Sequence, residues 1–429
     1  METKEPFAPS ALARPVVPVR LPSIEEHWDC HQCAQCCYGT EILLDEEDLA
    51  KLQSQRWDLH PDYRGVRVIQ RAGLFRRSVR LAHRPDGTCV FLLPDGLCRI
   101  HRDFGLQAKP KLCQAFPFQT VPDPGGALLV VRRSCPSAAA GRGQPVRLDR
   151  SDVQEALRAR PPLEPIRQPP EVVKGHRLGW SETLRITDWV ERFLRDQNYP
   201  LVRRVVHTAI FTELLAGCRP ARLNRSELGE LLDLLAQQAV REAGQYFQQR
   251  RPPDRSAQML FRRIAADYVR LHPRIRLRRC WPHRWWWIKT AWRLGRGRGQ
   301  LPPLPDQWPG TAMETLDRPL GPLSPELLQP VEEYFAAAAC CRAYSFLTRP
   351  GWPLVEAIRT VVIGYPVGMW LVRFAAPDRT PTLQDMIEAV MTLDRGERLA
   401  ALAGGAHRQR LRLLARLGEI PRLAAWYAR

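Results

Sequence analysis

Lysine is scarce in this chain. Of 64 basic residues only Lys4, Lys51, Lys109, Lys111, Lys174 and Lys289 are lysine, and the rest are arginine. The formal net charge is +19, which alone suggests nucleic acid, an anionic membrane or an acidic protein as partner. So one-sided a preference for arginine, beside so much proline and alanine, reads in part as a compositional bias, and the charge is discounted as a functional signal. No secretory leader is expected, because "METKEPFAPSALARPVVPVRLP" has no continuous apolar stretch. The best membrane candidate, "TVVIGYPVGMWLV" (360–372), is shorter than the ~18–20 residues a span needs and contains Gly364, Pro366 and Gly368. A buried core helix is expected there, no transmembrane segment, and a cytoplasmic location. No repeat of fixed period is found. "GRGRG" (295–299) follows an Arg/Trp-rich stretch rather than a strand, so no dinucleotide or S-adenosylmethionine fingerprint is present, and the C-x3-C-x2-C spacing of radical enzymes is missing as well.

What the chain has instead is cysteine, unevenly placed. Eight of its twelve cysteines precede residue 140: Cys30, Cys33, Cys36, Cys37, Cys89, Cys98, Cys113 and Cys135. The other four, Cys218, Cys280, Cys340 and Cys341, are scattered. In a reducing compartment clustered thiols point to metal or redox chemistry rather than to structural disulfides. The adjacent Cys36 and Cys37 also suit a disulfide poorly, given the Cα separation and dihedral such a bridge needs. "CHQCAQCC" (30–37) contains two overlapping C-x-x-C steps, each able to point two sulfurs at one ion. Cys30, Cys33 and Cys36 resemble the C-x2-C-x2-C half of bacterial ferredoxin ligation, where a remote Cys-Pro completes a cluster, and Cys135-Pro136 is a candidate for that remote ligand. Two four-cysteine zinc sites are the other partition. Spacing does not divide the eight. Arg99, Lys109, Lys111, Arg132 and Arg133 flank the thiols and would favour thiolate.

The asymmetry also divides the chain. A proline-rich, flexible N-terminus is expected over 1–23, a metal-binding module over 24–144, and a helical domain over 145–429 with a loop-rich break near 296–323. The fold class expected is an α+β cysteine-rich module followed by a predominantly α-helical domain. In the module, "TEILL" reads as a strand, Asp45 as the cap of a following helix, "GVRVIQ", "SVRLA" and "TCVFLL" as β-like stretches, Asp95-Gly96 as a hairpin turn, Pro110 as the start of a short helix, and "ALLVVRR" as a late strand. In the helical part Ser151 with Gln154 suggests a capping box, Gly217 a helix end, and Ser324-Pro325 a helix start. Cys340 and Cys341 read as small apolar packing, and His207 as a core histidine.

The stretch "RLRRCWPHRWWWIKTAWRLGRGRG" (276–299) interleaves cations with tryptophan, a mixture that suits a nucleic-acid backbone or a protein or membrane surface. The expectation is a helix whose tryptophans pack on the core and whose arginines face water, and nucleic acid is not expected as a partner.

The order of motifs, "CHQCAQCC", "ILLDEED", "CVFL", "CRIH", "KPKLCQAFP" and the final cysteine, resembles the CxxCxxCC family of zinc- or iron-chelating domains over about residues 27–137. All eight cysteines match; His101 takes the family's aromatic or histidine position, and Lys109-Pro110 stands where the family has Arg-Pro. The resemblance implies that the eight cysteines bind zinc or iron, and the likeness of Cys30, Cys33, Cys36 and Cys135-Pro136 to ferredoxin ligation favours an iron–sulfur cluster, of the 4Fe-4S kind, over zinc. "RFLRDQNYPLVRRVVHTAIFTELLAG", "EEYFAAAACCRAYSFL" and "TLQDMIEAVMTLDRG" resemble the C-terminal region of the flagellin lysine N-methylase family. That resemblance implies a protein substrate met by the helical domain and S-adenosylmethionine as methyl donor.

Overall fold

The computed structural model describes residues 17–71, 78–160, 166, 168–249, 251–272, 281–303, 308–342, 344, 351–397 and 405–429. An α+β cysteine-rich module comes first and a helical part follows, as the sequence leads one to expect.

Two small sheets build the module. β1 (Val19–Arg20) pairs in parallel with β6 (Gly126–Val131), which forms an antiparallel hairpin with β5 (Phe118–Asp123). β2 (Leu43–Leu44), β4 (Val79–Leu81) and β3 (Ile69–Arg71) form an antiparallel sheet in the order β2-β4-β3. Short helices connect them: α1 (Glu46–Ser54), α2 (Arg99–Phe104), α3 (Lys111–Ala115), α4 (Pro136–Ala139) and α5 (Ser151–Arg158). Asp45 caps α1 as expected, its carboxylate accepting from the Asp48 N–H at 2.8 Å, with Glu46, Glu47 and Asp48 in the first turn where the helix dipole favours them. Ser151 does not cap α5. Arg150 is the N-cap residue and Ser151 lies inside the helix, while Gln154 turns its amide to the Leu148 carbonyl and the Asp152 carboxylate accepts from the Val153 N–H.

The module has two separate apolar cores. One gathers Ile42, Leu44, Leu52, Trp57, Tyr63, Leu81, Val90, Phe91 and Ile100. The other gathers Trp28, Phe118, Leu129, Val131, Cys135 and Ala138 with Val146, Val153 and Ala156, residues that lie past the break expected near 145. Residues 17–23, expected to be flexible, are docked. Pro18 accepts from the Ala127 N–H at 2.9 Å, Arg20 pairs with Asp123, and Ser23 donates to Glu191 at 2.9 Å.

The ribbon of β7 (Glu171–Val173) and β8 (His176–Arg177) leads into the helices α6 (Trp180–Arg195), α7 (Leu201–Ala216), α8 (Arg225–Gln248), α9 (Arg255–Arg270) and α10 (Trp281–Arg296). A two-stranded ribbon of β9 (Gln300–Leu301) and β10 (Thr311–Ala312) precedes α11 (Pro325–Cys340), α12 (Leu354–Ala375), α13 (Leu383–Glu397), α14 (Gly405–Arg416) and α15 (Ile420–Tyr427). Gly217 ends α7 and Ser324 caps α11 before Pro325, both as expected. α8 begins with a full capping box between Asn224 and Glu227. The apolar stretch 360–372 lies within α12, which is long and apolar enough to cross a membrane by length and composition. Here it is the buried axis of the core, packed by α7, α9, α13 and α15. Cys340 and Cys341 are both buried, as expected of small apolar packing.

Ion pairs join the two parts. Asp123 on β5 meets Arg342 after α11, and Asp394 on α13 meets Arg132 after β6. Cys341 packs with Val121, Leu128 and Val130 of the β5–β6 hairpin.

Candidate metal centre

The loop 30–37 runs between the module's two cores, and the remaining cysteines lie on one core or the other. Cys89, Cys98 and Cys113 pack against the Trp57–Phe91 core, and Cys135 belongs to the Trp28–Phe118 core. "TCVFLL" is not a strand. Its backbone bends: Leu92 N donates to Cys89 O at 3.0 Å, while isolated bridges tie Cys89 to His83 and Leu92 to Cys98. Burial of Phe91 and the bond from Cys89 N to Cys37 O at 2.8 Å use up that backbone locally, which places Cys37 beside Cys89. The Asp95-Gly96 turn forms as expected, closed by Leu93 N–H to Leu97 O at 2.9 Å, and brings Cys98 back beside Leu92. Cys113 arrives on α3, which starts after Pro110.

Cys135 is the N-cap residue of α4, and the Trp28 indole N–H donates to its sulfur at 3.4 Å. The Trp28–Asp29 backbone, immediately before Cys30, pairs with Arg142 and Gln144. Gly143 permits this approach: with φ of +120°, it would place any Cβ 2.3 Å from the Asp29 nitrogen. His31 meets Ser137 Oγ at 2.8 Å, so both ends of α4 hold the start of the cysteine loop.

Gln32 and Ala34, inside that loop, adopt left-handed φ of 52° and 58°. Non-glycine residues occupy this region rarely and at a cost. Alternation of left- and right-handed residues also turns backbone N–H groups to one side, the concavity that receives anionic sulfur or phosphate in many sites.

The thiols are crowded enough to affect one another. Cys36 is exposed as a residue, but a hydrogen bond with the Cys37 thiol and the packing around its own sulfur push its pKa well up. Burial pushes Cys89 up to about 11 and raises Cys113 further, with Cys98 and Cys36 adding to both. Burial also raises Cys33, against a lowering bond from the Gln35 N–H, and Cys135, Cys36 and Cys30 add to the rise. These interactions group Cys30, Cys33 and Cys135 on one side, and Cys37, Cys89, Cys98 and Cys113 on the other, with Cys36 facing both. As placed, no three described His, Cys, Asp or Glu side chains form a group that could hold a metal ion. The donor set itself fits soft-metal chemistry: eight cysteines, all free, on two adjoining faces.

Of the five flanking cations, four are taken by carboxylates. Arg99 pairs with Asp62 and Asp103, Lys111 with Asp45 and Glu47, Arg132 with Asp394, and Arg133 with Glu26. Lys109 faces the thiols. Burial works against its charge, but Cys113, Cys98, Cys36 and Cys37 outweigh burial and raise its pKa. His101 is exposed on α2.

Three supports escaped the sequence reading. Trp28 lies two residues before Cys30, where an aromatic residue carries no motif. The left-handed Gln32 and Ala34 have no glycine to announce them. Asp394, only 1% exposed, accepts from Ser134 N–H at 2.9 Å and from Arg132 Nε at 2.8 Å, and it comes from 260 residues further along the chain.

Residues 29–136 match the CxxCxxCC family, described as a "Putative zinc- or iron-chelating domain". The chain is also similar to an uncharacterized protein of Methanocaldococcus jannaschii, 30% identical over 118 residues. That alignment covers 27% of this chain and 38% of the relative, so the chain spans less than half of the relative's length. No solved structure matches the chain.

Proposed function

We propose that the cysteine module binds metal as two four-thiolate centres, the first of Cys30, Cys33, Cys36 and Cys135 and the second of Cys37, Cys89, Cys98 and Cys113. The distribution of thiols over two cores, either side of one loop, is the observation that carries this reading. An iron–sulfur cluster suits the first set, with its C-x2-C-x2-C spacing, its remote Cys-Pro and the left-handed backbone of its loop. A closed zinc site suits the second, which is set against an apolar core, and Lys109 would offset part of the charge of four thiolates there. Ligation must displace protons from the thiols, among them Cys33, Cys89, Cys113 and Cys135, whose pKa burial has raised, so metal affinity should rise with pH. A reducing, cytoplasmic compartment agrees with the free cysteines among the described residues.

Oxygen-free purification followed by assay of iron, zinc and acid-labile sulfide tests this. Iron and sulfide with a broad absorption near ~400 nm, lost in Cys33→Ser, together with zinc lost in Cys113→Ser, is the expected result. Unchanged metal content in both variants would sink the assignment.

For the helical part, the likeness of its sequence to flagellin lysine N-methylases supports methyl transfer from S-adenosylmethionine to lysines of a protein partner. Metal-loaded protein incubated with methyl-labelled S-adenosylmethionine and cell extract should label a protein band; an unlabelled extract removes this reading and leaves a metal-binding or electron-transfer module with a helical partner-binding domain.

A further inference from the structure

The Trp/Arg-rich helix α10 departs from its expected packing. Among its described side chains, Thr290 and Leu294 are buried, Gly295 lies against Arg263, and Trp286 reaches the core only in part. The tryptophans are largely turned the other way among the described side chains. Trp285 is 59% exposed, Ile288 56% and Trp292 56%. At 100° per residue these three lie within one narrow stripe, and Lys289, Arg293 and Arg296, all exposed, form its flank. The Arg296 guanidinium sits 4.2 Å from the Trp292 ring centroid, which keeps a cation beside the exposed ring. Between Asp267 and Asp306 the sequence has no carboxylate, and from Arg274 to Arg298 it carries nine arginines and lysines.

From this arrangement we infer that α10 docks the protein on the surface of an anionic phospholipid bilayer, with Trp285, Ile288 and Trp292 entering the headgroup–acyl boundary and Lys289, Arg293 and Arg296 meeting lipid phosphates. Charge complementarity selects an anionic surface, and the order of groups on the helix selects lipid. A nucleic-acid surface is met by cations foremost, with planar rings for stacking. Here Trp285, Ile288 and Trp292 take up one side of the exposed face beside the cations, and Ile288 has no ring to stack on a base. Indole rings favour the bilayer interface, and a basic flank at headgroup height adds attraction that salt screens. The helix lies flat: the stripe from Trp285 to Arg296 is roughly 16 Å long, and the opposite side stays packed on α9.

Flotation of the full metal-loaded chain with phosphatidylcholine vesicles, with and without phosphatidylglycerol, tests the inference. Binding should be at least about tenfold stronger to the anionic vesicles and should weaken as salt rises from about 0.1 to about 0.5 M. Tryptophan emission should shift to the blue and be quenched by brominated lipid. The double variant Trp285→Ser/Trp292→Ser should lose about tenfold in binding while its circular dichroism and melting temperature stay unchanged, because both side chains face water. Lys289→Glu/Arg293→Glu should abolish the preference for phosphatidylglycerol. Absence of vesicle binding overturns the inference, as does equal binding by the wild type and the tryptophan variant. So does binding to duplex DNA, but not vesicles, that the tryptophan variant loses.

Discussion

The helical part buries Trp370, Tyr268, Phe211, Phe261, Phe335 and Phe374 within one continuous core. The cysteine module divides its apolar residues between a cluster around Trp57 and Phe91 and another around Trp28 and Phe118, with the cysteine loop between them. A core grows in stabilising power with the fraction of surface it buries, and two small clusters fall on the weak side of that scaling. Small domains make up the shortfall with cross-links or metal. Thiols placed on both clusters, and on the loop between, can join them through bound ions. The helical part has no such need: its buried Cys340 thiol donates to Glu191 Oε1 at 3.6 Å, and Cys341 packs on the β5–β6 hairpin.

The sharpest way to break this comparison is to remove the metal. Chelation, or Cys113→Ser, should unfold the module, since metal binding in small cysteine domains contributes on the order of 10 kcal/mol to folding. Hydrogen exchange resolved by peptide should show protection lost over residues 26–139 and retained over α7 and α12. Equal loss in both parts would mean that the helical core is not independent of the ions.

The converse perturbation is Trp370→Ala, which empties the centre of α12 and should cost about 4 kcal/mol in denaturant unfolding while metal content stays unchanged. Asp394→Asn attacks the joint between the parts. It leaves the buried end of Arg132 without its ion-pair partner and should cost about 3 kcal/mol, with exchange rising around Ser134 and α13 together.

A smaller effect depends on pH. Burial, then the Arg203 charge, depress the pKa of His207 from 6.5 to about 4, with Asp196 pulling the other way. The unfolded chain therefore binds a proton between about pH 6.5 and 4 that the folded chain refuses. The stability from neutral His207 is complete above pH 6.5 and declines by about 2 kcal/mol as pH falls to 4.5. Unfolding curves at pH 7 and 4.5 for the wild type and His207→Leu should differ by that amount in their pH dependence.

Local chemistry made much of the fold legible. Asp45, Gly217 and Ser324 mark helix ends because each satisfies or releases backbone groups within a few residues. Ser151 misled because the same composition signals a cap whether or not the side chain turns back; here Arg150 is the N-cap residue and Asp152, inside the helix, accepts from the Val153 N–H. "TCVFLL" misled because its β-favouring residues are bent by a bond to Cys37 and by the burial of Phe91, both tertiary. In α10 the residue types were legible but their direction was not. Tryptophan is apolar enough to predict burial, and only the packing of Thr290 and Leu294 against the neighbouring helix decides that Trp285 and Trp292 face outward. The cysteines themselves were plain in the sequence, whereas their division between two cores came only from the chain path.

Asp394 also has a consequence in time. Synthesis proceeds from the N-terminus at roughly 5–20 residues per second, so the carboxylate that receives Ser134 N–H and Arg132 emerges tens of seconds after Cys135. Among the described residues, the core against which Cys89, Cys98 and Cys113 pack is made wholly of residues up to 113. The two apolar clusters of the module therefore mature on different clocks: one can close while the ribosome is still translating, and the backbone just before Cys135 waits for a helix near the end of the message.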